Sequence, residues 1–153
     1  ALIAALGESC RDKETPSLHV FGVGSSSFHK CEPFVIAHGY VDSIFDILTD
    51  YPIFVSPLLF GSGIQNKVVD AICNGYPVIA SSLAVSPVVN FLNYKPKLLK
   101  EASDPKDFVP CAEAVMQTMS EISKDDLAAE SAWLQEQFSW DGYLDAIDAK
   151  IRS

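Results

Sequence analysis

The amino-acid sequence predicts an α/β fold, a doubly wound parallel sheet with helices on both faces, in a single domain over residues 1–153. The length suits one domain. Short β-rich runs alternate with helical patterns through short connections, which is typical of βαβ units and parallel strands. Two of these runs, residues 53–57 and 77–81, are apolar with little alternation, as expected of strands covered on both faces.

The first part of the chain predicts a helix end, two strands and a short helix. Residues 1–13 carry apolar side chains at helical spacing, which indicates the end of a helix. The β-rich runs at 17–21 and 34–37 are stopped by Gly22 and Gly39, so both are predicted as short strands that end in loops. A polar cap at Asp42 or Ser43 then starts a short helix.

The second part of the chain predicts the rest of the sheet and its helices. In order, these are a strand at 53–57, a helix at 64–74, a strand at 77–81, a weaker edge strand at 97–100, and helices at about 104–119, 124–137 and 140–151. Gly75 stands where a helix C-cap belongs, and Pro77 prevents continuation. Asp104 before Pro105 combines an N-cap with proline at the first helical position.

Composition excludes several classes of function. Hydrophobic residues at 48% and charged residues at 20% exclude disorder. A net charge of −9 argues against nucleic acid or an anionic membrane as partner. The four cysteines form no CxxC pair, which predicts free thiols in a reducing, cytoplasmic setting and no metal site. No apolar stretch is long enough for a transmembrane segment.

Two glycine loops follow predicted strands, where open parallel sheets bind ligands. Residues 22–27 begin like a dinucleotide fingerprint but place Ser27 where the last glycine belongs, so a plain turn is favoured. Gly61 and Gly63 precede a helix whose free N–H groups and dipole, the latter worth about 1 kcal/mol, suit a phosphate. Asp70 lies two turns further on; from spacing alone it is more often a surface acid than a ligand for sugar hydroxyls.

Four segments occur in an order that resembles a known family: Gly39-Tyr40-Val41-Asp42, and residues 54–58, 61–71 and 75–80. The series resembles the C-terminal, nucleotide-sugar-binding domain of GT-B glycosyltransferases of the group 1, family 4-like set. The resemblance implies a Rossmann-like half of a GT-B fold. It covers the chain from about residue 18 onward.

The resemblance also implies a donor site. The donor's sugar and diphosphate would meet a loop and helix start formed by Gly61, Ser62, Gly63, Ile64, Gln65, Asn66, Lys67 and Asp70. Within this segment, Asp70 would hold the ribose hydroxyls and Lys67 would lie near the diphosphate. The nucleobase would lie near Gly24, Tyr40, Val41 and Asp42. No catalytic residue, metal or resident cofactor is assigned, because the nucleotide sugar is itself the substrate.

The sequence departs from the family pattern at two points. Ser62 stands where the family often has the first of two acids, which puts the identity of the transferred sugar in doubt. The chain also has no room for the N-terminal acceptor domain. The pattern predicts that the first strand of the donor-binding domain is missing as well. The expected function is donor binding within a two-domain glycosyltransferase with an unknown acceptor, the isolated chain being inactive. The alternatives are a non-catalytic binding module of the same fold and, less favoured, a nicotinamide-dependent dehydrogenase.

Overall fold

The computed structural model describes residues 3–4, 17–28, 32–43, 50–142 and 144. The strands within these ranges are β1 (Leu18–Phe21), β2 (Val35–Gly39), β3 (Phe54–Ser56), β4 (Val78–Ala80) and β5 (Leu99–Glu101). The helices are α1 (Asn66–Cys73), α2 (Ser82–Leu92), α3 (Phe108–Glu121) and α4 (Lys124–Gln137), with 3₁₀ turns at Ser25–Phe28 and Pro105–Asp107. All observed strand pairings are parallel, in the orders β1–β2 and β3–β4–β5.

The β3–β4–β5 sheet is covered by helices on both faces. Val78 and Ala80 of β4 belong to a buried cluster with residues of α1, α2 and α4, whereas Ile79 between them belongs to a second cluster with α3. Strand residues alternate between faces, so this division shows two separate helical layers. Helix α1 connects β3 to β4, α2 connects β4 to β5, and both lie on the same face of the sheet. Right-handed crossovers require this when successive strands are added in the same direction across the sheet. The predicted α/β fold is therefore confirmed.

Helix ends follow the sequence signals closely. Gly75 adopts a left-handed φ of 73°, its N–H bonds the Ile72 carbonyl, and the Tyr76 N–H bonds the Ala71 carbonyl. These two bonds form a Schellman motif, which confirms the predicted helix end. Asp104 and Asp107 form a reciprocal capping box around Pro105, as the predicted helix start requires.

Helix α2 is absent from the sequence-based prediction. Pro87 lies inside it and removes one backbone donor, which normally argues against a helix. The helix forms because Ala84, Val85 and Val88 are almost fully buried against the sheet. Helix α1 begins at Asn66 rather than at the predicted residue 64.

Some predictions fall outside the described residues. Of the helix predicted at 1–13, only residues 3–4 are described, as helix, and the short helix after Ser43 falls on 44–49. Of the last predicted helix, residues 140–142 and 144 are described, as helix. Within the described ranges, no helix combines the length and apolar character needed to cross a membrane.

Candidate functional site

The loop between β3 and α1 brings two glycines to the carboxyl end of the sheet. Gly61 has φ 135° and Gly63 has φ 78°, a region that side chains rarely adopt. A Cβ atom on Gly61 would also lie 3.3 Å from Cδ2 of Leu58, which packs beneath it. Space around Gly63 is open, so its role is to turn the backbone toward the helix.

The start of α1 has no side-chain cap. Gln65 occupies the N-cap position with extended backbone, and its side-chain Nε2 donates to the Gly63 carbonyl at 3.3 Å. The Gln65 carbonyl accepts the N–H groups of Val68 and Val69, which closes the first turn. The backbone N–H groups ahead of that turn point out of the helix end together with its positive dipole. This arrangement suits an anion.

Helix α1 is amphipathic, and its open face carries the predicted polar residues. Val68 is buried, whereas Asn66 and Lys67 are exposed and Asp70 is half-buried. Asn66 and Asp70 are four residues apart and share a face, with a rise of about 6 Å between them. Within the described ranges, the Asp70 carboxylate has no hydrogen-bond or ion-pair partner. It can therefore accept two hydroxyl donors.

Cys73, the last residue of α1, carries a buried free thiol. Burial and the charge of Asp70 raise the pKa of Cys73 to about 11, so the thiol stays protonated at neutral pH. Among the described residues, no three His, Cys, Asp or Glu side chains group as metal ligands.

The loops after β1 and β2 are joined by a serine that the sequence analysis missed. Ser25 is 3% exposed, and its hydroxyl accepts the Gly39 N–H at 2.8 Å. The Gly22 N–H donates to the Gly39 carbonyl at 2.6 Å. Gly24, at φ 85°, lies beside this junction, and Tyr40 follows Gly39. The signal for Ser25 was only a serine triplet after two glycines, a pattern too common to single it out.

The predicted residues thus fall into two groups. Gly24 comes together with the Tyr40–Asp42 segment, in which Tyr40 is 68% exposed, Val41 is half-buried and Asp42 is exposed. Residues 61–67 and Asp70 form the other group, in which Ser62 is exposed and Ile64 half-buried. Each group follows the carboxyl end of a parallel strand. Bonds from Gly39 to Gly22 and Ser25 hold the loops of the first group together, and the Gln65–Gly63 bond lies within the second. Among the described residues, no hydrogen bond links the two groups.

Two further features lie beside the second group. Glu101, at the end of β5, accepts hydroxyl bonds from Ser82 at 2.6 Å and Ser103 at 3.2 Å, which ties the start of α2 to the sheet. The Ser81 hydroxyl is buried and has no partner within the described part of the chain.

Ile64 also lines an open groove. Its other walls are Phe91, Phe138, Ser139 and Trp140, and its volume is about 290 Å³. The Phe91 and Phe138 rings stack at a centroid distance of 5.1 Å. Trp140 is 78% exposed and not a core residue.

These observations define a Rossmann-like α/β domain whose candidate ligand site lies at the carboxyl ends of parallel strands. Residues 1–118 match the model of the family described as Glycosyl transferases group 1, and the chain belongs to this family. The resemblance stated from the sequence motifs is therefore confirmed, and glycosyl transfer is the chemistry of the family. Comparison with curated proteins and with solved structures gave no match.

Proposed function

We propose that this chain is the donor-binding domain of a glycosyltransferase that moves a sugar from a nucleoside-diphosphate sugar to an acceptor. The observation that carries the proposal is the β3–α1 junction in a chain of this family. It combines two positive-φ glycines, a helix start without a side-chain cap, and an Asp70 carboxylate that has no partner among the described residues.

The diphosphate is assigned to the start of α1. Gly61 and Gly63 let backbone approach the ligand closely, and the open amides of Gln65 and Asn66 provide donors without a side-chain competitor. Lys67 is exposed in the same turn and adds a positive charge in a chain whose net charge is −9. The same donors would stabilise the charge that develops on the leaving diphosphate.

The sugar hydroxyls of the donor are assigned to Asp70 and Ser62. Because α1 begins at Asn66, Asp70 lies only about one turn from the helix start, which is a suitable offset for the ribose next to a phosphate. Hydrogen bonds from hydroxyls to a carboxylate are stronger than those to a neutral acceptor. Ser62 supplies a hydroxyl to the transferred sugar. The nucleobase is assigned to the loops that Ser25 joins, near Gly24 and residues 40–42.

Acceptor binding and catalysis are assigned to a second domain. Within the described strands, β1 pairs only with β2, and β3 pairs only with β4, so each has one open edge. Tyr51, three residues before β3, packs its ring 4.4 Å from that of His19 on β1. Three residues span about 10 Å, which matches the width of one intervening strand. We therefore propose one more parallel strand between β1 and β3 and a separate acceptor domain, and we expect the isolated chain to be inactive in transfer.

The thiols favour a reducing, cytoplasmic setting. Cys73 and Cys111 are both free, and the Cys111 thiol donates to the Glu101 carbonyl. Burial is the main cause that raises the pKa of each thiol.

The test is calorimetric titration of the chain with UDP, GDP and ADP. We expect one nucleotide to bind selectively and the Asp70→Asn variant to bind it about 10- to 100-fold more weakly, because a charged acceptor is lost. Glu113→Gln, the same kind of change on α3, serves as the matched control and should leave affinity unchanged. Equal affinity in Asp70→Asn and the parent chain would contradict the ribose assignment.

A non-catalytic module of the same fold is the second candidate. The exposed hydroxyl of Ser62, in place of a carboxylate, is the observation that favours it. This candidate predicts that none of the three nucleotides binds, whereas the donor-domain proposal requires one of them to bind.

A further inference from the structure

One face of the β1–β2 pair carries an aromatic cluster that has no part in the proposed donor site. His19 and Phe21 on β1 share this face with His38 on β2, which lies at a register shift where Phe21 pairs with Gly39. The His38 ring stacks on Phe21 at a centroid distance of 4.4 Å and on His19 at 5.0 Å. Tyr51 covers the cluster from the segment before β3, at 4.4 Å from His19.

The two imidazoles share a single hydrogen bond. Nδ1 of His19 lies 2.7 Å from Nε2 of His38. One of these nitrogens must carry the proton and the other must accept it. A first added proton leaves the bond intact, because an imidazolium still donates to a neutral imidazole. A second added proton places N–H groups on both nitrogens and makes the bond impossible.

The surroundings oppose the second proton. Burial and, second, the charge of His38 lower the pKa of His19 from its ordinary 6.5. Among the described residues, the titratable side chains packed against His19 are His38 on the neighbouring strand and Tyr51 before β3. Within the described residues, no carboxylate joins the cluster. The folded chain therefore binds fewer protons than the unfolded chain, and this contribution to stability is full above pH 6.5 and is lost as pH falls through the lowered pKa of His19.

The pair is directly connected to the loops after the two strands. His38 precedes Gly39, whose N–H donates to Ser25 and whose carbonyl accepts from Gly22. Among the described residues, the imidazole bond is thus a hydrogen bond between side chains that joins the two strands just before the loops that carry Gly24 and Tyr40. Movement of His38 transmits to Gly39 through one peptide bond.

We propose that His19 and His38 form an acid-released clasp, which holds β1 to β2 and keeps the Gly22–Ser25 and Gly39–Tyr40 loops together until both imidazoles are protonated. This device is a property of the strand pair. It does not require that the loops bind a nucleotide, so it stands or falls separately from the proposed function.

The test is amide hydrogen exchange of the whole chain without ligand, read as protection factors from about pH 7.5 down to about pH 5. We expect protection in peptides covering β1 and β2 to fall by about fivefold relative to peptides covering β4, the loss of one net hydrogen bond. His38→Phe keeps a ring on Phe21 but cannot take the proton. In this variant the relative protection should no longer change with pH.

His29→Gln is the control, a histidine outside the described residues, and it should keep the parent's pH dependence. A proton NMR titration provides the second readout: the pKa of His19 should rise toward 6.5 in His38→Phe. The proposal is overturned if protection of β1 and β2 follows that of β4 at every pH. It is equally overturned if His38→Phe leaves both the pH dependence and the His19 pKa unchanged.

Discussion

The two sheets in the described part of the chain are built from similar short parallel strands but differ sharply in burial. In β4, all three residues are at most 2% exposed, because α1, α2 and α4 cover one face and α3 covers the other. In the β1–β2 pair, Val35 is the buried strand residue, and Ile36 is 39% exposed. Strand geometry is common to both. The difference teaches that the helical layers, rather than the strands, decide where the core lies.

The polar clusters of the two regions differ in the same way. Tyr94 donates to the Glu130 carboxylate at 2.5 Å and packs edge-on against Trp133, which joins the segment after α2 to α4. Its counterpart in the first region is the His19–His38 pair, which joins only two neighbouring strands. The cluster of Tyr94, Glu130 and Trp133 joins separate layers, whereas the His19–His38 pair links two strands that are already paired.

The largest expected contrast is between two isoleucines. Ile79→Ala should lower the free energy of unfolding by about 2–5 kcal/mol, because it opens a cavity between β4 and α3. Ile36→Ala should lower it by less than about 1 kcal/mol, since the side chain already meets water. Urea unfolding followed by circular dichroism measures both. Equal losses would show that β1 and β2 contribute to the core as much as β4 does.

A smaller contrast is expected between two glycines with positive φ. In Gly75→Ala, the new Cβ would lie 3.1 Å from Oγ of Ser131, so crowding adds to backbone strain, and we expect a loss of about 2 kcal/mol. In Gly39→Ala, no atom lies within 4 Å of the new Cβ, and strain alone should cost about 1 kcal/mol. Thermal unfolding of the two variants measures how much stability each substitution removes. A costlier change at Gly39 would contradict the loose packing of the first region.

The smallest contrast is between two tyrosine hydroxyls. Burial and the hydrogen bond to Glu130 raise the pKa of Tyr94 to about 12 from 10.0. The neutral form is the one favoured by folding, so this contribution is full below pH 10 and is lost as pH rises toward 12. Tyr94→Phe should cost about 1 kcal/mol at neutral pH and remove that alkaline loss. Tyr51→Phe keeps the ring contacts with His19 and Phe21 and should change the free energy of unfolding little. Urea unfolding at neutral and at alkaline pH measures both variants. If Tyr94→Phe loses as much stability at alkaline pH as the parent chain, the assignment is wrong.

Much of the candidate site could be predicted from the sequence. Gly61 and Gly63 are predicted from their spacing to a helix, and Asp70 from the resemblance to the glycosyltransferase family. The structure places all three around the start of α1. Ser25 could not be predicted, because its role depends on Gly39, which is 14 residues away in the sequence. The His19–His38 pair could not be predicted for a similar reason, because only the register of β1 against β2 brings the two rings together.

The sequence by itself determined the local elements of this protein. The Schellman end at Gly75, the capping box at Asp104 and the bounds of α4, which begins after Ser123, all rest on hydrogen bonds between residues a few positions apart. Tertiary structure decided that α2 continues through Pro87, that the described strands divide into two sheets, and that the Asp70 carboxylate has no hydrogen-bond or ion-pair partner among the described residues. Those outcomes depend on burial and pairing between residues far apart in the chain, which local hydrogen bonding does not specify.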